Sequence, residues 1–90
     1  MQKWGKMYLH IGNNVMLETK DIVGIFDLDV IENNAVFNKF YNKIKEKVEK
    51  ISNEKGKSLI LLNDNRSFIS NISSITLEKR AENMIEDVIE

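Results

Sequence analysis

The fold is decided by the stretch SLILLNDNRSFIS, which runs from Ser58 to Ser70. Two runs of strand-forming residues, 58–62 and 67–70, flank a polar segment whose length suits a hairpin turn. The first run is apolar on both faces. It therefore predicts a central strand, or a strand whose second face meets another subunit.

Three further strands are predicted before this hairpin. The run 8–11 is followed by Gly12-Asn13-Asn14, residues that tolerate the positive φ of a tight turn, and the run 15–17 returns from it. The run 22–28 is rich in β-branched and aromatic residues, which favours a third strand. Gly24 inside this run indicates a bulge or the close approach of another backbone.

Two amphipathic helices complete the pattern. From an N-cap at Asn33 or Asn34, apolar residues recur at helical spacing as far as Ile51, which predicts one long helix. Ser73 or Ser74 caps the second helix. Its apolar stripe consists of Leu77, Ala81, Met84, Ile85 and Val88. We therefore predict an α+β domain, with a small, mostly antiparallel sheet of about five short strands and two helices.

Length and composition restrict the class of protein. Ninety residues correspond to one domain with a modest core, and 42% hydrophobic with 30% charged residues is typical of soluble globular chains. The absence of cysteine excludes disulfides and thiolate chemistry and fits a reducing cytosol. No apolar stretch has the length of a membrane span or a secretory signal. We expect a cytoplasmic protein without a membrane partner.

Residue types that carry catalysis or bind metals are sparse. The one histidine, His10, lies on a predicted strand, and a structural or interface role is favoured because no second histidine or cysteine exists to complete a metal site. Asp27 and Asp29 have a spacing that suits magnesium, but a solvated corner is favoured because no phosphate-binding loop accompanies them. Helix capping explains the serines Ser70, Ser73 and Ser74. We predict no enzyme activity, cofactor, metal or small-molecule substrate.

The remaining candidate site is a group of basic side chains that could contact phosphates. The formal net charge of −1 lacks the global positive field typical of nucleic-acid binders, so phosphate contact would require a local patch. The candidate DNA-binding residues are Lys20, Lys55, Lys57, Arg66 and Arg80. A second group of cations forms a stripe beside the apolar face of the first predicted helix, at Lys39, Lys43, Lys47 and Lys50. Repetition of a weak contact in an oligomer would raise the affinity for DNA.

Four segments resemble the extracellular matrix regulatory protein RemB (YaaB) family. They are MYLHIG at 7–12, DIVGIFD at 21–27, Lys57-Ser58 before the apolar strand, and ISNISSITLEKR at 69–80. Their order and spacing also match, so the resemblance covers nearly the whole chain. It implies a single RemB-like domain over 7–90, preceded by an N-terminal extension over residues 1–6, in which Trp4 has no functional interpretation.

The resemblance also implies a function. It points to a small cytoplasmic protein of low-GC Gram-positive bacteria, related to RemA, whose relatives form rings and bind DNA to activate biofilm matrix operons. Lys55 and Lys57 match positions where those relatives have arginines, and Arg80 ends a shared motif. Lys20 and Asp21 occupy a corner where the relatives have an arginine, and the acidic residue there opposes contact with DNA.

Two hypotheses follow for the function. The first is a DNA-associated transcriptional regulator of extracellular matrix genes, whose partners are further copies of itself, in a homo-oligomer or ring, and double-stranded DNA. The alternative is a protein-interaction module of the same fold that modulates a regulator without binding DNA. The net charge of −1 and an acidic C-terminal segment favour this alternative. That segment contains Glu82, Glu86, Asp87 and Glu90.

Overall fold

The computed structural model describes residues 7–89, and the side chains of residues 7–83. The predicted N-terminal extension with Trp4 therefore lies outside the described residues, as do the side chains of Met84, Ile85 and Val88. The strands are β1 (Tyr8–Gly12), β2 (Val15–Glu18), β3 (Ile22–Asp27), β4 (Glu49–Lys50), β5 (Ser58–Leu62) and β6 (Ser67–Ser70). The α-helices are α1 (Leu28–Asn33), α2 (Ala35–Ile44) and α3 (Ser74–Ile89).

The strands form two sheets. Strands β1 and β2 make an antiparallel hairpin, and the other four make a sheet in the order β3-β5-β6-β4. Strand β5 pairs antiparallel with both β3 and β6, while β4 is parallel to β6. Strand β5 is therefore central, as its two apolar faces predicted. The α+β class is confirmed, and residues 7–89 contain six strands where the sequence predicts about five and three α-helices where it predicts two.

The N-terminal turns follow from their glycine and asparagine residues. Gly12, Asn13 and Asn14 have φ values of 112°, 48° and 62°, in the left-handed region that these residue types tolerate best. In β3 the pairing register shifts between Ile22 and Gly24, which confirms the predicted irregularity. A Cβ at Gly24 would lie 2.7 Å from the Phe26 ring, so the glycine also makes room for that ring.

The prediction of one long helix from Asn33 or Asn34 to Ile51 is wrong at its C-terminal end. Asn34 is the N-cap, and its side chain accepts hydrogen bonds from the first amides of α2, but the helix ends at Ile44. The chain then forms β4, and the Ile51 amide donates to the Ile69 carbonyl at 3.2 Å. Val48 and Ile51 are apolar because they pack against the sheet, a role that helical spacing alone does not distinguish.

A short helix precedes α2 and was not predicted. The sequence predicts that the third strand reaches Leu28, but β3 ends at Asp27, whose carboxylate accepts a hydrogen bond from the Asp29 amide at 2.8 Å. Asp27 is thus the N-cap of α1. This capping role accounts for the aspartate at the end of the strand, so a metal site is not needed to explain it.

The two faces of the four-stranded sheet bury separate cores. Ile60 and Leu62 of β5 face the hairpin and α3, together with Leu9, Ile11, Leu17, Ile51, Phe68 and Leu77. Leu59 faces the other way and packs with Leu28 and Ile31 of α1, while Tyr41 and Ile44 of α2 pack beside them. The hairpin and α3 therefore cover one face of this sheet, and α1 and α2 cover the other.

Buried serines join the sheet to the hairpin layer. The Ser70 hydroxyl donates to the Ile11 carbonyl at 2.6 Å and accepts from the Ile72 amide at 2.9 Å, while Ser58 donates to the Ile72 carbonyl at 2.8 Å. Helix capping is therefore the wrong role for Ser70. It is the right one for Ser73, whose hydroxyl accepts from the Thr76 amide at 3.2 Å.

Candidate nucleic-acid interface

Lys55 and Lys57 lie in the loop that enters the central strand. The backbone of Lys57 is fixed on both sides, because its amide donates to the Ser70 carbonyl at 2.8 Å and its carbonyl accepts from the Leu28 amide at 3.0 Å. Both lysines are exposed, and neither forms an ion pair with any carboxylate of residues 7–83. This loop therefore presents two uncommitted ammonium groups, and the Lys57 group extends from a fixed backbone.

Lys20 and Arg66 lie at the opposite end of the sheet. The Asn63 amide donates to the Asp21 carbonyl at 2.8 Å, which holds the corner before β3 beside the β5–β6 turn. Strand β5 separates this end from Lys57 by five residues, or about 17 Å at the usual rise of an antiparallel strand. The predicted cations therefore do not share one rim within a single chain.

The cations at this end have carboxylate partners. The Lys20 ammonium lies 3.6 Å from a Glu18 carboxylate oxygen. The Arg66 guanidinium donates to Asp64 at 2.7 Å, and this hydrogen bond holds the pKa of the exposed Asp64 carboxyl below its ordinary value. Both pairs reduce the positive field that phosphates would meet. The structure thus distinguishes this end from the Lys55–Lys57 loop.

Arg80 lies on α3 and takes part in a contact within the chain. Its guanidinium donates to the His10 carbonyl at 2.9 Å, which attaches the exposed part of α3 to β1. His10 itself is exposed on the outer face of the hairpin, opposite Met16. In residues 7–83 no three histidine or acidic side chains come together as a metal site, so nothing in this part of the chain gives His10 a role as a ligand.

A trough beside α2 brings Arg66 together with residues that the sequence did not identify as a site. It consists of two adjoining grooves of 510 and 320 Å³ that share Phe40 and Leu61. The larger groove is lined by Lys43, Lys47 and Arg66. The smaller groove is almost entirely apolar, lined by Phe26, Ile31, Val36, Phe37 and Leu59. We use the name trough for these residues together.

The lysine stripe was the signal that could have identified this trough. The sequence places Lys43 and Lys47 beside the apolar face of the first predicted helix, but it does not show that Arg66 approaches them from the β5–β6 turn. Tyr41 lies on the same helix, half-buried, and its burial together with the nearby Glu32 carboxylate raises the pKa of the phenol above its ordinary value.

The described residues form a small α+β domain, with Lys55 and Lys57 exposed and without an ion-pair partner among residues 7–83 at one end of a sheet, and with an open trough beside a helix. No helix in the described part of the chain is long and apolar enough to cross a membrane.

Comparison with known proteins identifies the family. The model of the RemA-like family, extracellular matrix regulatory protein A-like, matches residues 8–81. The chain is also 39% identical over 80 residues to extracellular matrix regulatory protein B of Bacillus subtilis (strain 168), and this alignment covers 89% of the chain and 96% of that protein. The chain therefore belongs to the RemA-like family, and the resemblance drawn from its motifs is confirmed.

Proposed function

We propose that this chain is a non-enzymatic regulator of extracellular matrix (biofilm) genes, which acts as a homo-oligomer and binds the phosphates of double-stranded DNA. The names of the matching family and of the Bacillus subtilis relative both describe regulation of the extracellular matrix, and neither describes catalysis. This kinship supports the regulatory role. The proposal that the chain binds DNA rests on the charged side chains of the chain itself.

The observation that carries the DNA proposal is the Lys55–Lys57 loop. Its two exposed ammonium groups have no ion-pair partner among residues 7–83, and the backbone of Lys57 is held by hydrogen bonds to Ser70 and Leu28. A cation extending from a fixed backbone loses less conformational freedom when it meets a phosphate than one on a mobile loop. Lys57 is therefore the residue we expect to contribute most to DNA affinity.

The test is a DNA titration over a range of salt concentrations. Binding through phosphates makes the logarithm of the affinity fall linearly with the logarithm of the salt concentration, by about 0.9 per phosphate contact. Fluorescence anisotropy on a labelled duplex measures this slope. An absence of binding at about 50 mM salt, where phosphate contacts are strongest, would refute the DNA proposal.

Matched charge reversals separate the two ends of the sheet. Lys57→Glu should lower both the affinity and the salt slope, because it removes an unpaired cation. Lys20→Glu changes the net charge by the same amount at a cation that Glu18 already neutralises, so its effect should be smaller. If the two variants lose affinity equally, only the total charge of the protein matters, and the Lys55–Lys57 loop is not the contact.

The alternative function, a protein-interaction module that modulates a regulator without DNA, has one specific observation in its favour. The corner before β3 combines Asp21 with the Glu18–Lys20 ion pair, so its two carboxylates outnumber its one ammonium group. Together with the net charge of −1, this weakens attraction to phosphates. Wild-type protein that leaves duplex DNA unshifted at low salt, yet forms a stable complex with a purified regulator, would favour this alternative.

A further inference from the structure

The trough beside α2 leaves large apolar side chains exposed. Phe37 and Phe40 are 44% and 45% exposed and Val36 is 75% exposed, although they lie next to one another along one groove. Phe37 is partly supported by the Phe26 ring, whose centroid lies 6.4 Å away. A contiguous apolar groove with charged residues at its edge is typical of a protein-interaction surface.

The charged edge of the trough is cationic. Lys43 and Lys47 line its larger groove, and neither forms an ion pair with a carboxylate of residues 7–83. Arg66 also lines this groove, but Asp64 already accepts its hydrogen bond. The trough therefore suits a segment with apolar side chains on one side and carboxylates beside them.

The opposite side of the molecule carries a segment with an exposed apolar side chain and carboxylates beside it. On α3, Ile75 is 63% exposed, and Glu78 and Glu82 are exposed within about 60° of it around the helix. Lys79 lies about 40° beyond Ile75, outside this arc. Between Arg80 and the end of α3 at Ile89 the sequence contains three acidic residues and no lysine or arginine, so this part of the helix sequence is acidic.

We propose that the trough of one copy receives α3 of a second copy, with Ile75 in the apolar groove and Glu78 and Glu82 facing Lys43 and Lys47. This resembles the helix-in-groove mode of recognition, here with one apolar anchor at Ile75 and two carboxylates on the same side of the helix. The inference rests on the homo-oligomer in the proposed function and identifies its interface.

The helix that enters the trough must come from another chain, because α3 and the trough lie on opposite sides of the four-stranded sheet. Helix α3 is anchored through Leu77, which is fully buried in the core on the hairpin side of the sheet. The trough lies on the side covered by α1 and α2, so α3 of the same chain cannot reach it without leaving that core. The contact joins two different surfaces, so each copy offers one trough and one helix. Such a head-to-tail contact continues from copy to copy until the assembly closes or extends as a filament.

Reciprocal charge reversal tests this pairing. One variant carries Lys43→Glu and Lys47→Glu in the trough, and the other carries Glu78→Lys and Glu82→Lys on α3. Like charges then face each other in each pure variant, and we expect self-association to weaken by about 100-fold. In an equimolar mixture each trough again meets a helix of opposite charge. The mixture should therefore regain the self-association that each pure variant loses, as measured by native mass spectrometry without DNA.

A double reversal outside the trough provides the control. Lys45→Glu with Lys50→Glu changes the net charge as much as the trough variant, at exposed positions that do not line either groove, and should leave the assembly intact. The inference is overturned if the wild type is monomeric, if the trough or helix variant assembles like the wild type, or if the mixture stays separate. Because DNA is absent, these outcomes are independent of the salt titration, which alone tests DNA binding.

Discussion

Replacing Ser70 with alanine removes a buried link between the sheet and the hairpin layer. The Ser70 hydroxyl donates to the Ile11 carbonyl at 2.6 Å and accepts from the Ile72 amide at 2.9 Å. Ser70 itself is fully buried. The variant leaves both backbone groups without this partner. A buried group left unsatisfied costs about 1–3 kcal/mol, and the Ile72 amide is only partly buried, so we expect a total loss of about 2–3 kcal/mol.

Urea denaturation followed by circular dichroism measures this loss, at one fixed protein concentration because assembly also contributes to stability. In a domain of this size, a loss of about 2 kcal/mol corresponds to a fall in Tm of roughly 8–16 °C. Ser52→Ala is the matched control, since the Ser52 hydroxyl also accepts an amide hydrogen bond, but an exposed one that water replaces. If both variants lose less than about 0.5 kcal/mol, the proposed role of Ser70 is wrong.

Three further predictions concern α2 and the sheet beside it. Asn34→Ala should cost about 1 kcal/mol in urea denaturation, because the N-cap accepts two amide hydrogen bonds, and Asn34→Asp should retain most of that stability. Gly56→Ala should cost about 1–3 kcal/mol in the same assay, since its Cβ would lie 2.5 Å from the Ile69 side chain; an unchanged midpoint would contradict this close packing. Burial and the Glu32 carboxylate raise the pKa of Tyr41, so the folded protein favours the neutral phenol. The stability that comes from this shift is complete at a pH below the ordinary tyrosine pKa, and it is lost as the pH rises through the raised pKa. Tyr41→Phe should abolish this part of the alkaline loss, and equal pH profiles for both proteins would show that Tyr41 is not its source.

The candidate cations show where sequence reasoning ends. The sequence indicates Lys55, Lys57 and Arg80 through the family motif and already disfavours the Lys20 corner because of Asp21, but it does not show which of these cations have partners. The cations differ in their partners. Lys20 pairs with Glu18 and Arg66 pairs with Asp64. Arg80 donates to the His10 carbonyl. The selection itself stays a prediction until DNA binding is measured.

The sequence by itself determined most of the strands and the family, and it limited the helix caps to Asn33 or Asn34 and to Ser73 or Ser74. The structure selected Asn34 and Ser73 and placed β5 inside the sheet. The features that the sequence determined depend on local rules: alternation, turn residues and capping side chains act within a few residues of each other. The end of α2 was decided by tertiary structure, because Val48 and Ile51 fit a helical stripe and a sheet-facing segment equally well. The trough was also decided there, since Lys43, Lys47 and Arg66 meet only when the β5–β6 turn folds back toward α2, a contact between residues distant in sequence.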